Sequence, residues 1–225
     1  MISIIIPAFN EERALPRTLT YLCRQAGEYE ILLVDGGSTD HTIQVARAYS
    51  QVTVLSAAKG RASQMNAGAL QARGEWLLFL HADTTLPDGA LARLNALECD
   101  HGVQAGGFLH RFSGEDWRLR LISMLDNIRC RRSRIIYGDQ ALFVRRPLFV
   151  RLGGFPNQPM LEDVAFCETL IRVTTPILLT PPVITDPRKF VQMGIWRSFA
   201  RVLLIILHVQ FRLPTLSPAF FKDVR

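Results

Sequence analysis

Residues Leu77–Pro87 read LLFLHADTTLP. The four apolar residues Leu77 to Leu80 form the short continuous run that a strand covered on both faces carries, as strands do in a buried parallel sheet. The run delivers the chain to Asp83, with His81 two places before it. A carboxylate at the end of a buried strand is costly to desolvate unless something there needs its charge.

The same pattern repeats outward from this run. ISIIIP (2–7), YEILLVD (29–35), VTVLSA (52–57) and EWLLFLHAD (75–83) read as strands. Between them, EERALPRTLTYLCRQA (11–26), TDHTIQVARAYS (39–50) and GRASQMNAGALQARG (60–74) read as helices. Strands alternating with helices of this length give an α/β fold, a mostly parallel sheet flanked by helices. The second half is less regular. QAGGFLHRF (104–112) reads as a strand, DWRLRLISMLDNIRC (116–130) as an amphipathic helix, RIIYGDQALFVRR (134–146) as a strand with an embedded turn, and LEDVAFCETLIRV (161–173) as a helix. With 225 residues and no internal repeat or low-complexity linker, the chain suits one domain, residues 1–190, with a short tail, residues 191–225.

Apolar content of 48% against 20% charged residues is that of a globular protein with a sizeable core. A net charge of +6 favours an anionic partner, a nucleotide or an acidic lipid. No nucleic-acid-binding motif accompanies that charge, so nucleic acid is not expected. Cys23, Cys99, Cys130 and Cys167 lie far apart, which suits free thiols in a reducing compartment. The opening MISIIIP lacks the basic start of a signal peptide and reads as a first strand, so a cytoplasmic location is expected.

In the tail, the longest uncharged apolar run, Val202 to Leu207, falls well short of the ~20 residues of a membrane span. Arg197, Arg201, His208 and Arg212 fall within a narrow sector of one helix face at ~100° per residue. A basic stripe on an apolar helix suits peripheral contact with an anionic membrane. The alternative is a helix packed on the domain with its basic edge in solvent.

The polar signatures follow the strands: PAFNEE after the first, DGGSTD after the second, HADTTLPDG after the fourth. Ligands of open parallel sheets bind outside the carboxyl ends of strands, so these loops are expected to share one crevice. Gly36 and Gly37 free the second loop to turn, and Ser38 or Thr39 with Asp40 can cap the next helix. That leaves Asp35 to meet a ribose or base, or else to stabilise its own turn. The first loop contains no glycine, so a pyrophosphate has neither a G-x-G-x-x-G turn nor a phosphate loop to sit in. A divalent cation is the obvious substitute, and Asp83 can anchor Mn2+ or Mg2+ whose other ligands come from a diphosphate. Asp83 could instead cap the turn leading into PDGALARLNAL, a task for which Asp88 is better placed. YGDQ sets Asp139 and Gln140 behind a turn glycine. Glu162 and Asp163 stand together at a helix start, where acids complement the dipole or serve as a general base. The cluster Arg129, Arg131, Arg132 and Arg134 either attracts an anionic acceptor or is a solvated loop.

Together, IIIPAFNEE, LLVDGGSTD, LLFLHAD and LED resemble, in order and spacing, the signature set of family 2 glycosyltransferases, over about the first 190 residues. LLFLHADTTLP with KGRASQMNAGA also resembles one small bacterial subgroup of that family. The resemblance implies the GT-A fold, a Rossmann-like sheet, and a nucleotide-diphosphate sugar as donor. It implies that Pro7, Ala8, Phe9 and Glu11 line the base and ribose, and that Asp35 contacts the base. His81, Ala82 and Asp83 stand where the family has Asp-X-Asp, whose last acid binds the metal. Asp163 becomes the catalytic base that frees an acceptor hydroxyl for an inverting displacement, with Glu162, Asp139 and Gln140 on the acceptor side. The acceptor stays unnamed, a lipid-linked or membrane-associated one being compatible with the tail. His81 departs from the pattern: a neutral imidazole adds no negative charge and suits a hydrogen-bonding partner better than a metal ligand. Two other classes compete. A non-catalytic nucleotide-sugar-binding protein would not need Asp163, and a sugar nucleotidyltransferase would ordinarily start with a Gly-rich basic loop.

Overall fold

A computed structural model describes residues 1–211 apart from 101 and 159. Ile2–Ala8 (β1), Leu15–Leu22 (α1), Tyr29–Asp35 (β2), Thr42–Arg47 (α2), Val52–Ser56 (β3), Arg61–Gln71 (α3) and Trp76–Phe79 (β4) follow the expected alternation. Thr84–Thr85 (β5), Ala90–Ala96 (α4), Ala105–Phe112 (β6), Trp117–Ser133 (α5), Phe143–Arg145 (β7) and Arg146–Arg151 (α6) come next. Glu162–Leu170 (α7), Ile177–Thr185 (β8), Arg188–Gln192 (α8) and Ile195–Phe211 (α9) complete the described chain.

The sheet runs β3-β2-β1-β4-β7-β6-β8-β5. β1, β2, β3 and β4 are mutually parallel, β7 is antiparallel to β4 and β6, and β8 is parallel to β6. The order reverses at β1, which passes to β2 on one side and to β4 on the other, and that is where an open sheet leaves a crevice.

Alternation along the central strands sorts their side chains into two cores. Ile4, Ile6, Leu78 and Leu80 pack with Leu15, Leu19, Leu91 and Leu94 of α1 and α4. Ile5, Leu77 and Phe79 pack on the opposite face with Met65 of α3, Phe149 of α6 and Phe166 of α7. Each fully buried Ile or Leu is worth about 1.5–3 kcal/mol, so the sheet centre is fixed strongly. α3 lies close enough to β1 that a Cβ on Gly68 would come within 2.6 Å of Ile5 Cγ2. Asn66 on the same helix clasps Phe155, donating to its carbonyl at 2.8 Å and accepting from its amide at 3.0 Å.

The second half departs from the sequence expectation. Only Phe143–Arg145 of the stretch 134–146 is strand, and Gly138–Gln140 is a turn of 3-10 helix. Tyr137 N donates to Gln140 Oε1 at 3.0 Å, closing that turn locally and withdrawing it from the sheet. The helix expected from residue 11 starts at Leu15, because the Glu11 and Glu12 amides donate to Thr42 Oγ1 and Asp40. β8 has no counterpart in the sequence reading. Its Pro181 and Pro182 argue against a strand, yet they sit where the register with β6 shifts between Phe108 and His110, so no ladder bond is missed.

α9 packs on the domain through Ile195 and Phe199, against Phe112, Leu119, Ile122 and Phe190. Its Trp196, Leu203, Leu204 and Leu207 are exposed. Two members of the expected basic stripe, the His208 side chain and Arg212, lie outside the described residues. Among the described residues, no helix is long and apolar enough to cross a membrane.

Candidate active site

The loops after β1, β2 and β4 are tied to one another by polar contacts. Gln64 Nε2 on α3 donates to Ala8 O at 2.7 Å and to Val34 O at 2.8 Å, pinning the ends of β1 and β2 side by side. The expected cap of α2 is displaced: its N-cap residue is His41, without a side-chain cap bond, while Asp40 Oδ1 accepts from Thr42 N at 3.0 Å just before it.

Asp35 makes the turn-stabilising contacts that the sequence offered as the alternative to a ribose or base. Its carboxylate is 2% exposed and accepts from Gly37 N at 2.9 Å and Ser38 N at 3.1 Å. A buried carboxylate takes the nearest amide donors, and here those belong to its own turn. Pro7 and Ala8 are buried at the end of β1. Phe9 is half-buried with Lys59 Nζ 3.8 Å above its ring. The Glu11 carboxylate is ion-paired to α8, with Lys189 Nζ at 2.6 Å and Arg188 on the other oxygen.

That pairing brings two cations to the corner where β4 ends. Lys189 Nζ lies 3.6 Å from Asp83 Oδ2. The Asp83 backbone carbonyl accepts from Asp186 N at 3.0 Å, which ties the β4 end to the β8 end. The Asp83 carboxylate itself has no short partner, its nearest hydrogen-bond contact being Thr84 Oγ1 at 3.5 Å. Neither Asp83 nor Asp88 caps the next helix, because α4 starts from Gly89 in the left-handed region without a side-chain cap. Among the described residues, no three His, Cys, Asp or Glu side chains gather into a metal cage. A lone carboxylate without a close partner still suits a cation that completes its shell with phosphate oxygens and water.

His81 continues the alternation of Leu77 and Phe79, which directs it to the α3–α7 face of the sheet. There it abuts Gly138 so closely that a Cβ on Gly138 would collide with Nε2. Burial, and then the Arg61 guanidinium, depress its pKa to about 4, so the ring is neutral at pH 7. Asp83 and Asp163 both act on it from opposite charge, without overcoming burial.

Asp163 stands in the first turn of α7, buried, with Oδ2 accepting from Gly138 N at 2.6 Å and Oδ1 from Val164 N at 2.8 Å. Glu162 beside it is 2% exposed and meets Arg61 Nε of α3 at 2.7 Å. Burial pushes the Glu162 carboxyl above its ordinary range, and Arg61 opposes that rise. Arg61→Ala is therefore expected to destabilise the fold by about 2–3 kcal/mol at pH 7, leaving a buried carboxylate unpaired. The folded protein then takes up the Glu162 proton at higher pH than the unfolded chain does, so stability is gained as pH falls. The deficit read from urea unfolding should shrink between pH 7 and pH 4.5; an undiminished deficit would contradict this pairing.

Of the residues expected on the acceptor side, Gln140 is fully buried, and its Oε1 accepts from Tyr137 N at 3.0 Å and Arg129 Nη2 at 3.3 Å. Those bonds shape the Gly138–Gln140 turn. Asp139 is partly accessible and lies 3.7 Å from His110 Nε2. Arg129 is likewise internal, stacked 3.4 Å over Tyr137 and paired to Asp126 at 2.9 Å, whereas Arg131 and Arg132 are exposed. Arg61, Arg188 and Lys189 were not singled out by the sequence, because only the fold brings them to the acids. A half-filled stripe of cations after β8 carries no local pattern.

The family model described as "Glycosyl transferase family 2" matches residues 3–155. A "PGL/p-HBAD biosynthesis glycosyltransferase" of Mycobacterium bovis (strain BCG / Pasteur 1173P2) is 34% identical over 166 residues, covering 69% of this chain. One of the same name from Mycobacterium tuberculosis (strain ATCC 25177 / H37Ra) matches equally. The match spans 63% of the length of these relatives. Among solved structures, the mannosyltransferase PcManGT from Pyrobaculum calidifontis, in complex with GDP-Man and Mn2+, has a TM-score of 0.67 at 21% identity, over 99% of this chain and 67% of that one. S. aureus TarS 1-349 in complex with UDP-GlcNAc has a TM-score of 0.66 at 19% identity, over 82% of this chain and 58% of that one.

Proposed function

Because this chain belongs to glycosyl transferase family 2 and has the GT-A fold, we propose that it moves a sugar from a nucleotide-diphosphate sugar to an acceptor hydroxyl, with inversion. The observation that carries the reading is Asp163, a carboxylate fixed by two amides at Gly138, where it and Asp83 both act on a neutral His81. The acceptor oxygen attacks the anomeric carbon and passes its proton to Asp163. The bond from that carbon to the diphosphate oxygen breaks, and its electron pair leaves with the nucleoside diphosphate. One displacement turns an α-linked donor into a β-linked product.

Asp83 is the residue that would hold a divalent cation, Mn2+ or Mg2+, which supplies Lewis-acid charge opposite the leaving diphosphate. Lys189 and Arg188 add fixed positive charge at the same corner, held there by Glu11. His81 donates or accepts a hydrogen bond beside Gly138 without adding charge. Phe9 under Lys59 offers a base a side-chain surface in the first loop. The donor is supported by the nucleotide-sugar complexes of the structural neighbours. Thermal-shift screening of UDP- and GDP-sugars with and without Mn2+ tests the reading. Stabilisation by at least one donor is expected, and none by any donor would overturn it.

The exposed apolar side chains of α5 and α9 also fit a membrane face on the cytoplasmic side. Trp117 and Trp196 stand edge to face at 6.1 Å, and α9 also exposes Arg197, Leu204 and Leu207. Binding to phosphatidylglycerol vesicles is expected and should weaken with salt. Failure to float with such vesicles at low salt would remove the membrane from the proposal.

A further inference from the structure

A cavity of about 360 Å3 lies between α5, β6, the Gly138–Gln140 turn and α9, in the size range of small-molecule sites. Phe112, Ile122, Leu125, Phe190, Phe199 and Leu203 give it apolar walls. Its polar lining is Asp126, Arg129 and Tyr137, which are paired with one another, and His110 and Asp139. His110 is 1% exposed, and neither of its ring nitrogens has a hydrogen-bond partner. Asp139 Oδ1 is likewise buried without one, and Asp139 Oδ2 lies 3.7 Å from His110 Nε2. Burial, partly offset by His110, raises the Asp139 carboxyl above its ordinary range. Buried polar groups are nearly always paired, so an unpaired imidazole facing a cavity points to a missing occupant.

We propose that this cavity receives the apolar part of the acceptor, an alkyl or aryl alcohol whose hydroxyl end lies at His110 and Asp139. That end is one residue from Gly138, whose amide Asp163 holds. The inference rests on the reading of the chain as a sugar transferase and names the acceptor class which that reading leaves open. Most of the wall is apolar, so a free sugar would leave most of its hydroxyls unpaired, whereas an alkyl or aryl chain loses nothing there. Leu125 and Leu203 are both exposed as well as lining the cavity, so a chain can enter beside them.

Calorimetric titration of the full chain with 1-hexanol, 1-octanol and 1-decanol tests the proposal. Affinity should rise about fourfold per added CH2. Ile122→Trp, which fills the cavity, should weaken 1-octanol at least about tenfold, as should Leu203→Trp at its mouth if the first variant does not fold. Leu70→Trp, on the exposed face of α3, should leave affinity unchanged. His110→Phe keeps the ring and removes its nitrogens, and should weaken 1-octanol about tenfold while the dependence on chain length persists. Displacement of 1-octanol by vesicles carrying hexadecanol assigns a membrane-borne alcohol; displacement by 4-butylphenol but not by vesicles assigns a soluble one. Displacement by neither, no dependence on chain length, or binding untouched by both tryptophan variants would overturn the cavity assignment. Nucleotide-sugar stabilisation of the same proteins reports separately on the transferase reading, so the two can fail independently.

Discussion

Asp163→Asn is expected to lower sugar transfer by about 10²–10⁴-fold, the range a positioned general base contributes. Donor affinity should stay close to that of the unaltered protein, because the residues assigned to the donor come from the β1, β4 and β8 ends. The substitution also has a structural cost. Both Asp163 oxygens accept from amides, Gly138 N and Val164 N, so an asparagine must turn its NH2 toward one of them. A stability loss of about 1–3 kcal/mol is expected from that mismatch, and urea unfolding separates it from the kinetic loss. Transfer at an undiminished rate by the folded variant would falsify the assignment of the base. A non-catalytic nucleotide-sugar-binding protein would show no transfer at all before the substitution.

Asp83→Asn carries the second large effect. It keeps the side-chain shape and removes the charge that has no short partner in the crevice. In the proposed site, Mn2+-dependent binding of a nucleoside diphosphate stabilises the fold by about 2.7 kcal/mol at a ligand concentration of 100 Kd. For a chain of this size that is a shift of about 5–10 °C in Tm, which the variant should lose. Lys189 keeps its pairing with Glu11, so the variant without ligand should melt close to the unaltered protein. A full Mn2+-dependent shift in Asp83→Asn would show that the metal, or the diphosphate, sits elsewhere.

What was legible in the sequence follows the range of the forces involved. The strands β1, β2 and β4 were readable because burial on two faces demands continuous apolar runs, a strictly local signal. The convergence of their loops followed from the rule for parallel sheets: Gln64 ties the ends of β1 and β2, and Lys189 spans Glu11 after β1 and Asp83 after β4. β8 was hidden because its two prolines are tolerated only by a register shift that belongs to its partner strand. The contacts of Asp35, Glu11 and Gln140 were not legible in the sequence for one shared reason. A polar side chain near a crevice satisfies itself first with the closest donors, and those lie in its own turn or on α8. His81 shows the converse. Its parity with Leu77 and Phe79 was in the sequence from the start, and it turns the ring toward Gly138 and the Asp163 side of the crevice. Arg61 and Lys189 required the fold, since nothing within a few residues of either shows which acid it will meet.

Proton NMR of the first-formed product from an α-linked nucleotide-sugar, followed before mutarotation or with an acceptor present, tests the single displacement most directly. A β-linked sugar is expected. An α-linked product, or no turnover of any donor that stabilises the protein, would contradict it.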